Sequence, residues 1–138
     1  MGYIFGSSKR LAVIFGIVAL VAAAHIFRLG SYLEGESYNF YYSYFSDFII
    51  PFAFYFLLCL YELHLPILRH WEVKLAIAFL APAIAETCQY FGVPVLGSTF
   101  DPLDYFAYGL GALSAAVVDV VVFSRVFDFW GVWKADRE

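Results

Sequence analysis

The sequence predicts an all-α polytopic membrane protein, a bundle of four transmembrane helices with both termini cytoplasmic. Of its 138 residues, 63% are hydrophobic and 14% are charged, and the mean hydropathy is +0.77. An ordinary soluble domain is about 45–50% apolar and about 25% charged. The connections between the apolar stretches are short, so we interpret residues 1–138 as a single transmembrane domain.

Four apolar stretches are long enough to cross a hydrocarbon layer of ~30 Å, which takes ~20 helical residues. They are Leu11–Leu29, Phe40–Leu63, Val73–Phe91 and Leu103–Phe127. Lys and Arg are enriched on the cytoplasmic side of membrane proteins. With four spans, one side holds seven of the eight basic residues and the other holds only Arg28. The sequence therefore places the loops Gly30–Asn39 and Gly92–Pro102 outside, and the tyrosines of SYLEGESYNFYYSYF form an interfacial belt there.

Two classes of interaction are excluded by charge and by topology. The net charge of −4 and the absence of a Lys/Arg cluster argue against nucleic acid as a partner. Cys59 and Cys88 lie near the ends of consecutive spans, which run in opposite directions, so the two residues are expected near opposite faces of the membrane. A disulfide between them is not expected.

Polar residues of all four spans fall at one level, in the outer part of the membrane. His25 and Arg28 are neighbours on the first span, Asp47 follows on the second, Glu86 and Gln89 share a face of the third, and the fourth begins with Asp101 and Asp104. A carboxylate at depth costs about 2.5–3.5 kcal/mol on insertion scales and usually faces a wet cavity. We therefore predict an outward-facing polar pocket whose ligand-binding residues are Arg28, Asp47, Glu86, Gln89 and Asp104.

Structural roles compete with this hypothesis at several positions. Glu86 can pair with Arg28 or His25 and hold helices together, because polar side chains link helices in membranes. Asp101 suits a helix N-cap, with Pro102 in the first turn. Asp119, in the inner half of the fourth span, can pair with Lys74 or Arg125, or continue a proton path from the outer pocket.

The search for metal and catalytic motifs finds none. Carboxylate and amide oxygens suit hard cations such as Mg²⁺ or Ca²⁺, but no tight metal motif is present, and we predict no metal site. Catalytic and phosphate-binding signatures are also absent. Whether the protein is an enzyme stays open, and the sequence identifies no cofactor.

The stretch AETCQYFGVPVLGSTFDPLDYFAYGLGAL resembles the VanZ-like family of small bacterial membrane proteins over about Val73–Val122. The matching residues are Glu86, Gln89, Asp104 and the small residues of Gly109–Ala112. The chain departs from the family pattern because its loop lacks an Arg and Tyr108 stands where the family has an Asn. The resemblance implies a multi-pass protein of the prokaryotic plasma membrane with a role in the cell envelope.

The leading hypothesis is a pocket that binds the head group of a membrane lipid or a cell-envelope precursor. The alternative is a non-catalytic accessory or structural subunit of a larger membrane complex, or a homo-oligomer, in which aromatic surfaces meet partner chains; Phe, Trp and Tyr make up 22% of the residues. A small ion-coupled carrier is a third hypothesis, although the chain has no inverted repeat.

Overall fold

The computed structural model describes residues 2–95 and 99–130, and that part of the chain is helical with no β-strand. This confirms the all-α class. The α-helices are α1 (Gly2–Ile26), α2 (Gly35–Phe40), α3 (Ser46–Leu60), α4 (Trp71–Tyr90), α5 (Asp104–Val117) and α6 (Ser124–Val126). Two wider π-helical segments, Tyr41–Phe45 and Val118–Phe123, join α2 to α3 and α5 to α6. Tighter 3₁₀ turns at Leu29–Tyr32, Tyr61–Leu63 and Pro66–Arg69 form parts of the connections.

Three of the helices are long and apolar enough to cross a membrane: Ser8–Ile26, Gly35–Leu63 and Asp104–Val126. They correspond to the first, second and fourth predicted spans, with ends shifted by a few residues. Helix α4 covers the remaining predicted span, Val73–Phe91, and its 20 residues reach ~30 Å at ~1.5 Å per residue. Because α4 carries charged residues at both ends, it is less apolar than the other three, and a fourth membrane crossing remains a prediction.

Neighbouring long helices run in opposite directions, as contacts at their two ends demonstrate. At one end, His25 of α1 lies 3.1 Å from the Ser46 hydroxyl at the start of α3, and Thr87 of α4 lies 2.8 Å from the Tyr105 hydroxyl of α5. At the other end, Arg10 of α1 meets a carboxylate that follows α3. We call the first the acidic end, for Asp47, Glu86, Asp101 and Asp104, and the second the ion-pair end, for Arg10, Glu62, Lys74 and Asp119.

Helix α3 lies at the centre of the bundle and packs against α1, α4 and α5. Its Tyr55 and Phe56 are fully buried and form the middle of the core. They face small residues on α5, of which Ala112 and Ala115 are completely buried. Small residues let helix backbones approach closely in membrane bundles, and Gly111, Ala112 and Ala115 provide such a surface on the α3 side of α5.

The closest approach of α3 and α5 is at Gly111. A Cβ atom added there would lie 2.0 Å from the backbone oxygen of Phe48, far inside van der Waals contact. At Gly109, two residues earlier and therefore on a different face of the helix, an added Cβ would meet only the Phe79 ring, at an ordinary 3.8 Å. A side chain at Gly111 would therefore collide with the backbone of α3, whereas a methyl group at Gly109 would fit.

We expect Gly111→Ala to destabilise the bundle, because a backbone atom cannot turn aside as a side chain can. Overpacking costs about 1–3 kcal/mol in typical cores, and this site should lie at or above that range. Gly109→Ala is the matched control and should leave the thermal unfolding midpoint in mild detergent unchanged or slightly raised. Equal midpoints for the two variants would contradict the close contact.

Candidate functional site

A cavity of about 380 Å³ opens at the acidic end between α3, α4, α5 and the loop before α5. Four carboxyl groups, one amide and two phenols lie in its wall; those outside the π-helical segment are Asp47, Glu86, Gln89, Asp101, Asp104 and Tyr108. Tyr42 and Ser43 of the π-helical segment Tyr41–Phe45 also line it, and Pro82 of α4 lies on the same side as Glu86. Single π-helical turns within longer helices are frequent at functional sites.

Glu86 is the most deeply buried acid of this cavity, with only 2% of its surface exposed. One carboxylate oxygen accepts a hydrogen bond from the backbone N–H of Asp101 at 2.7 Å, and the other accepts one from the Tyr108 hydroxyl at 3.3 Å. Neither donor is a cation. Glu86 thus connects α4 to the loop and to α5 without neutralising its own charge.

Asp101 arranges the chain just before α5. Its carboxylate accepts the backbone N–H of Leu103 at 2.9 Å, and its carbonyl accepts the N–H of Asp104 at 3.1 Å. Helix α5 begins at Asp104, two residues after the predicted first helical residue, Pro102. The local role of Asp101 still resembles an N-cap, because its side chain binds a free N–H at the helix start.

Asp47 and Asp104 come from the first turns of α3 and α5, and their side chains are in hydrogen-bonding contact. Two carboxyl groups side by side repel each other when both are ionised. No Lys, Arg or His of the described cavity lining lies beside them. A cation that entered the cavity would therefore be stabilised by this pair.

Gln89 gives the cavity an acceptor that has no donor. Its amide nitrogen donates to the carbonyl of Val95 at 2.9 Å, which holds the loop against α4. The amide oxygen is buried and has no hydrogen-bond partner in the part of the chain that the structure describes. Buried acceptors are normally satisfied, so this oxygen adds to the demand for a donor in the cavity.

The electrostatic character of the cavity follows from its composition. Its described lining contains four carboxyl groups and no Lys, Arg or His. Carboxylates in a low-dielectric setting are stabilised by an opposite charge within a few ångströms, and no side chain of the described lining supplies one. The arrangement is suited to bind a cation that also donates hydrogen bonds.

Four of the five predicted ligand-binding residues, Asp47, Glu86, Gln89 and Asp104, line this one cavity, while Arg28 does not. Helix α1 ends at Ile26, and Arg28 takes a left-handed backbone conformation with φ of 49°, which turns the chain away and leaves its side chain exposed. His25 also lies outside the lining, bound to Val21 and Ser46. Pairing of Glu86 with Arg28 or His25 is therefore not what the structure contains. Ligand binding by the other four remains a prediction.

A second polar centre, at the ion-pair end, was only partly predicted. Lys74 of α4 is 2% exposed and lies 2.7 Å from the carboxylate of Asp119, in the π-helical segment Val118–Phe123. Lys74 also pairs with Glu62, whose other oxygen lies 2.7 Å from the Arg10 guanidinium. Of the alternatives for Asp119, pairing with Lys74 rather than Arg125 is the one observed.

Neutral groups complete the contacts of Asp119. The Tyr55 hydroxyl donates to one carboxylate oxygen at 2.8 Å, and the Trp130 indole N–H donates to the other at 2.7 Å. The Arg10 guanidinium lies over the Trp130 ring, 5.0 Å from its centroid. Two cations and two anions balance here. The sequence missed Arg10 and Glu62 because each lies close to a span end, where charged residues ordinarily face water.

Cys59, Glu62 and Asp119 place a sulfur and two carboxylates within 4.8 Å of one another, a spacing that a metal ion can bridge. The Lys74 ammonium lies among them, 3.3 Å from the Cys59 sulfur and 2.7 Å from Asp119. The positive charge of Lys74 already neutralises the carboxylates that a metal ion would bind. The residues of the ion-pair end therefore form a structural centre, and both cysteines are free thiols, as expected.

Comparison of the chain with protein-family models, with curated proteins and with solved structures found no match.

The balance of charge at the ion-pair end predicts non-additive mutational effects. Lys74→Met alone should destabilise the protein by about 3–5 kcal/mol, because it leaves buried carboxylates without a partner. Adding Asp119→Asn should recover part of that loss, since Arg10 and Glu62 then remain as a neutral pair. Arg125→Met removes an exposed cation of the same region and should change stability by about 0.5 kcal/mol or less.

The measurement is thermal or denaturant unfolding of five proteins in one detergent: the parent, Lys74→Met, Asp119→Asn, the double variant and Arg125→Met. Strictly additive losses from Lys74→Met and Asp119→Asn would show that the two side chains do not interact.

Proposed function

We propose that this chain is a multi-pass protein of the prokaryotic plasma membrane whose acidic cavity faces outward and binds a cationic head group. The head group belongs to a membrane lipid or a lipid-linked envelope precursor. The observation that carries the proposal is the set of four carboxyl groups around one cavity whose described lining has no basic residue. The amide oxygen of Gln89, which has no hydrogen-bond partner among residues 2–95 and 99–130, adds a neutral acceptor.

The contrast between the two ends of the bundle supports a ligand at the acidic end. At the ion-pair end each buried carboxylate has a Lys or Arg within salt-bridge distance. At the acidic end the same type of group is buried or half-buried, and the described cavity lining has no Lys or Arg to pair with it. Charged residues at membrane depth that lack a structural partner are expected to mark a ligand or ion path.

The resemblance to VanZ-like proteins agrees with an envelope setting. Its three polar positions, Glu86, Gln89 and Asp104, are all in the cavity wall. At the family's Asn position this chain has Tyr108, which donates to Glu86 and so takes part in the same site. The missing loop Arg leaves the cavity more acidic than the family pattern implies, and this favours a cation over an anionic group.

The proposed topology has four crossings, with α4 as the third and both termini cytoplasmic. Lys74 and Glu86, the two charged residues farthest into α4, are each 2% exposed, so the bundle rather than the lipid surrounds them. The ion-pair end then lies on the cytoplasmic side, where most Lys and Arg residues occur. The acidic cavity opens on the opposite side.

The orientation can be tested by labelling single cysteines in intact cells, after Cys59 and Cys88 are replaced by Ser. A cysteine at Ser37, which is exposed near the acidic end, should react with a membrane-impermeant maleimide. A cysteine at His70, exposed near the ion-pair end, should react only after the cells are opened. The reverse pattern would put the cavity on the cytoplasmic side.

The binding proposal predicts that replacing an acid of the cavity by its amide removes ligand binding without unfolding the protein. Glu86→Gln and Asp104→Asn should keep the folded bundle, because the amides retain shape and hydrogen-bonding capacity, yet abolish retention of an amine-bearing lipid. Glu72→Gln makes the same chemical change on the exposed side of α4 and should retain the lipid like the parent. The readout is native mass spectrometry of each protein after extraction in mild detergent.

Parent protein without any bound lipid or cation, or acid-to-amide variants that retain the lipid fully, would overturn the cation-binding proposal. Co-purification of foreign membrane subunits with such lipid-free protein would favour the accessory-subunit hypothesis.

A further inference from the structure

An apolar groove of about 400 Å³ lies beside the acidic cavity. One wall comes from the Tyr41–Phe45 segment and the start of α3, and the other from the loop end and first turns of α5. Its main lining residues are Tyr44, Phe45, Phe48, Leu103, Phe106 and Leu110. No charged residue lines the groove in the described chain, and its volume lies in the range of about 300–1,000 Å³ typical of ligand sites.

The groove and the cavity flank the same two helical segments. Tyr44 and Phe48 line the groove, whereas Ser43 and Asp47, the residues just before them, line the cavity. The same alternation occurs on the other wall, where Leu103 and Ala107 line the groove and Asp104 and Tyr108 line the cavity. The contact between Asp47 and Asp104 thus separates an acidic depression from an apolar one.

We propose that the groove holds the hydrocarbon chain of the same molecule whose cationic head enters the acidic cavity. The ligand is then an amphiphilic cation, a long-chain amine. This inference rests on the proposed function and specifies its ligand class. One molecule that spans the Asp47–Asp104 contact would place its ammonium among the carboxylates and its chain against the aromatic wall.

Charge complementarity decides which amphiphile fits. Four carboxyl groups around the head-group cavity repel a phosphate as strongly as they attract an ammonium. Anionic lipids are therefore disfavoured, and so are zwitterionic lipids whose phosphate adjoins the amine. A molecule with one positive charge next to a hydrocarbon chain can place its charge in the acidic cavity and its chain in the apolar groove.

The test uses the full-length protein in lipid nanodiscs and two probes, dodecylamine and ethylamine, titrated by calorimetry with dodecylamine expressed as a mole fraction of the bilayer. Leu110→Trp places a larger side chain in the groove. Leu113→Trp is the control, because Leu113 is on the same helix, is similarly exposed (50% against 58%) and does not line the groove. Asp104→Asn changes the cavity instead.

We expect Leu110→Trp to weaken dodecylamine binding by about tenfold through overpacking, with ethylamine binding and the Leu113→Trp protein unaffected. Asp104→Asn should weaken both probes. If Leu110→Trp leaves dodecylamine binding unchanged while Asp104→Asn weakens it, the groove inference is overturned and the cation site stands. If Asp104→Asn affects neither probe, the proposed function fails as well.

Discussion

The contact of the Lys74 ammonium with the carboxylates of Glu62 and Asp119 is the interaction on which the arrangement of the helices depends. These three side chains come from α4, from the turn after α3 and from the π-helical segment after α5. Arg10 brings α1 into the same network through Glu62. Hydrophobic burial gives helices little reason to associate within a bilayer, so polar contacts and close packing must supply the specificity.

With the helices held together at the ion-pair end, their packing determines which side chains meet at the acidic end. The close approach at Gly111 prevents α3 and α5 from sliding apart near their middle. Beyond it, the first turns of α3 and α5 bring Asp47 and Asp104 together, and α4 adds Glu86 from the third side. In the described part of the chain, the same four helices thus pair Arg10, Lys74, Glu62 and Asp119 at one end and gather carboxyl groups without a basic neighbour at the other.

The sequence predicts much of this fold because long apolar runs have few alternatives. Three helices long and apolar enough to cross a membrane lie within five residues of the predicted bounds. Asp47, Glu86, Gln89 and Asp104 were predicted at one level of antiparallel helices, and the structure places them around one cavity. Arg28 was misplaced because helical spacing was extended past Ile26, where the chain leaves the helix. Spacing along a helix cannot show where that helix stops.

The ion-pair centre was harder to predict for a related reason. Asp119 lies in a π-helical segment, which rotates its side chain relative to a regular helix. Trp130 folds back beyond α6 to reach it, a tertiary contact with no local signal. Glu62 sits in a turn after α3, where an exposed carboxylate is the ordinary expectation, yet it is 1% exposed. Only the packing of all four long helices reveals these residues as one group.

The central claim is that charge is balanced at the ion-pair end and lacks a cation at the acidic end. Infrared difference spectroscopy of protein labelled with ¹³C at its Asp and Glu carboxyl groups tests this directly, with ethylamine added to the ligand-free protein in nanodiscs. Crowded carboxyl groups without a cation favour the protonated form, so we expect loss of a protonated carboxyl band when the amine enters the cavity, and the same loss in Lys9→Met, which leaves both centres intact. A ligand-free protein with no protonated carboxyl group, or a spectrum that the amine leaves unchanged, would contradict it.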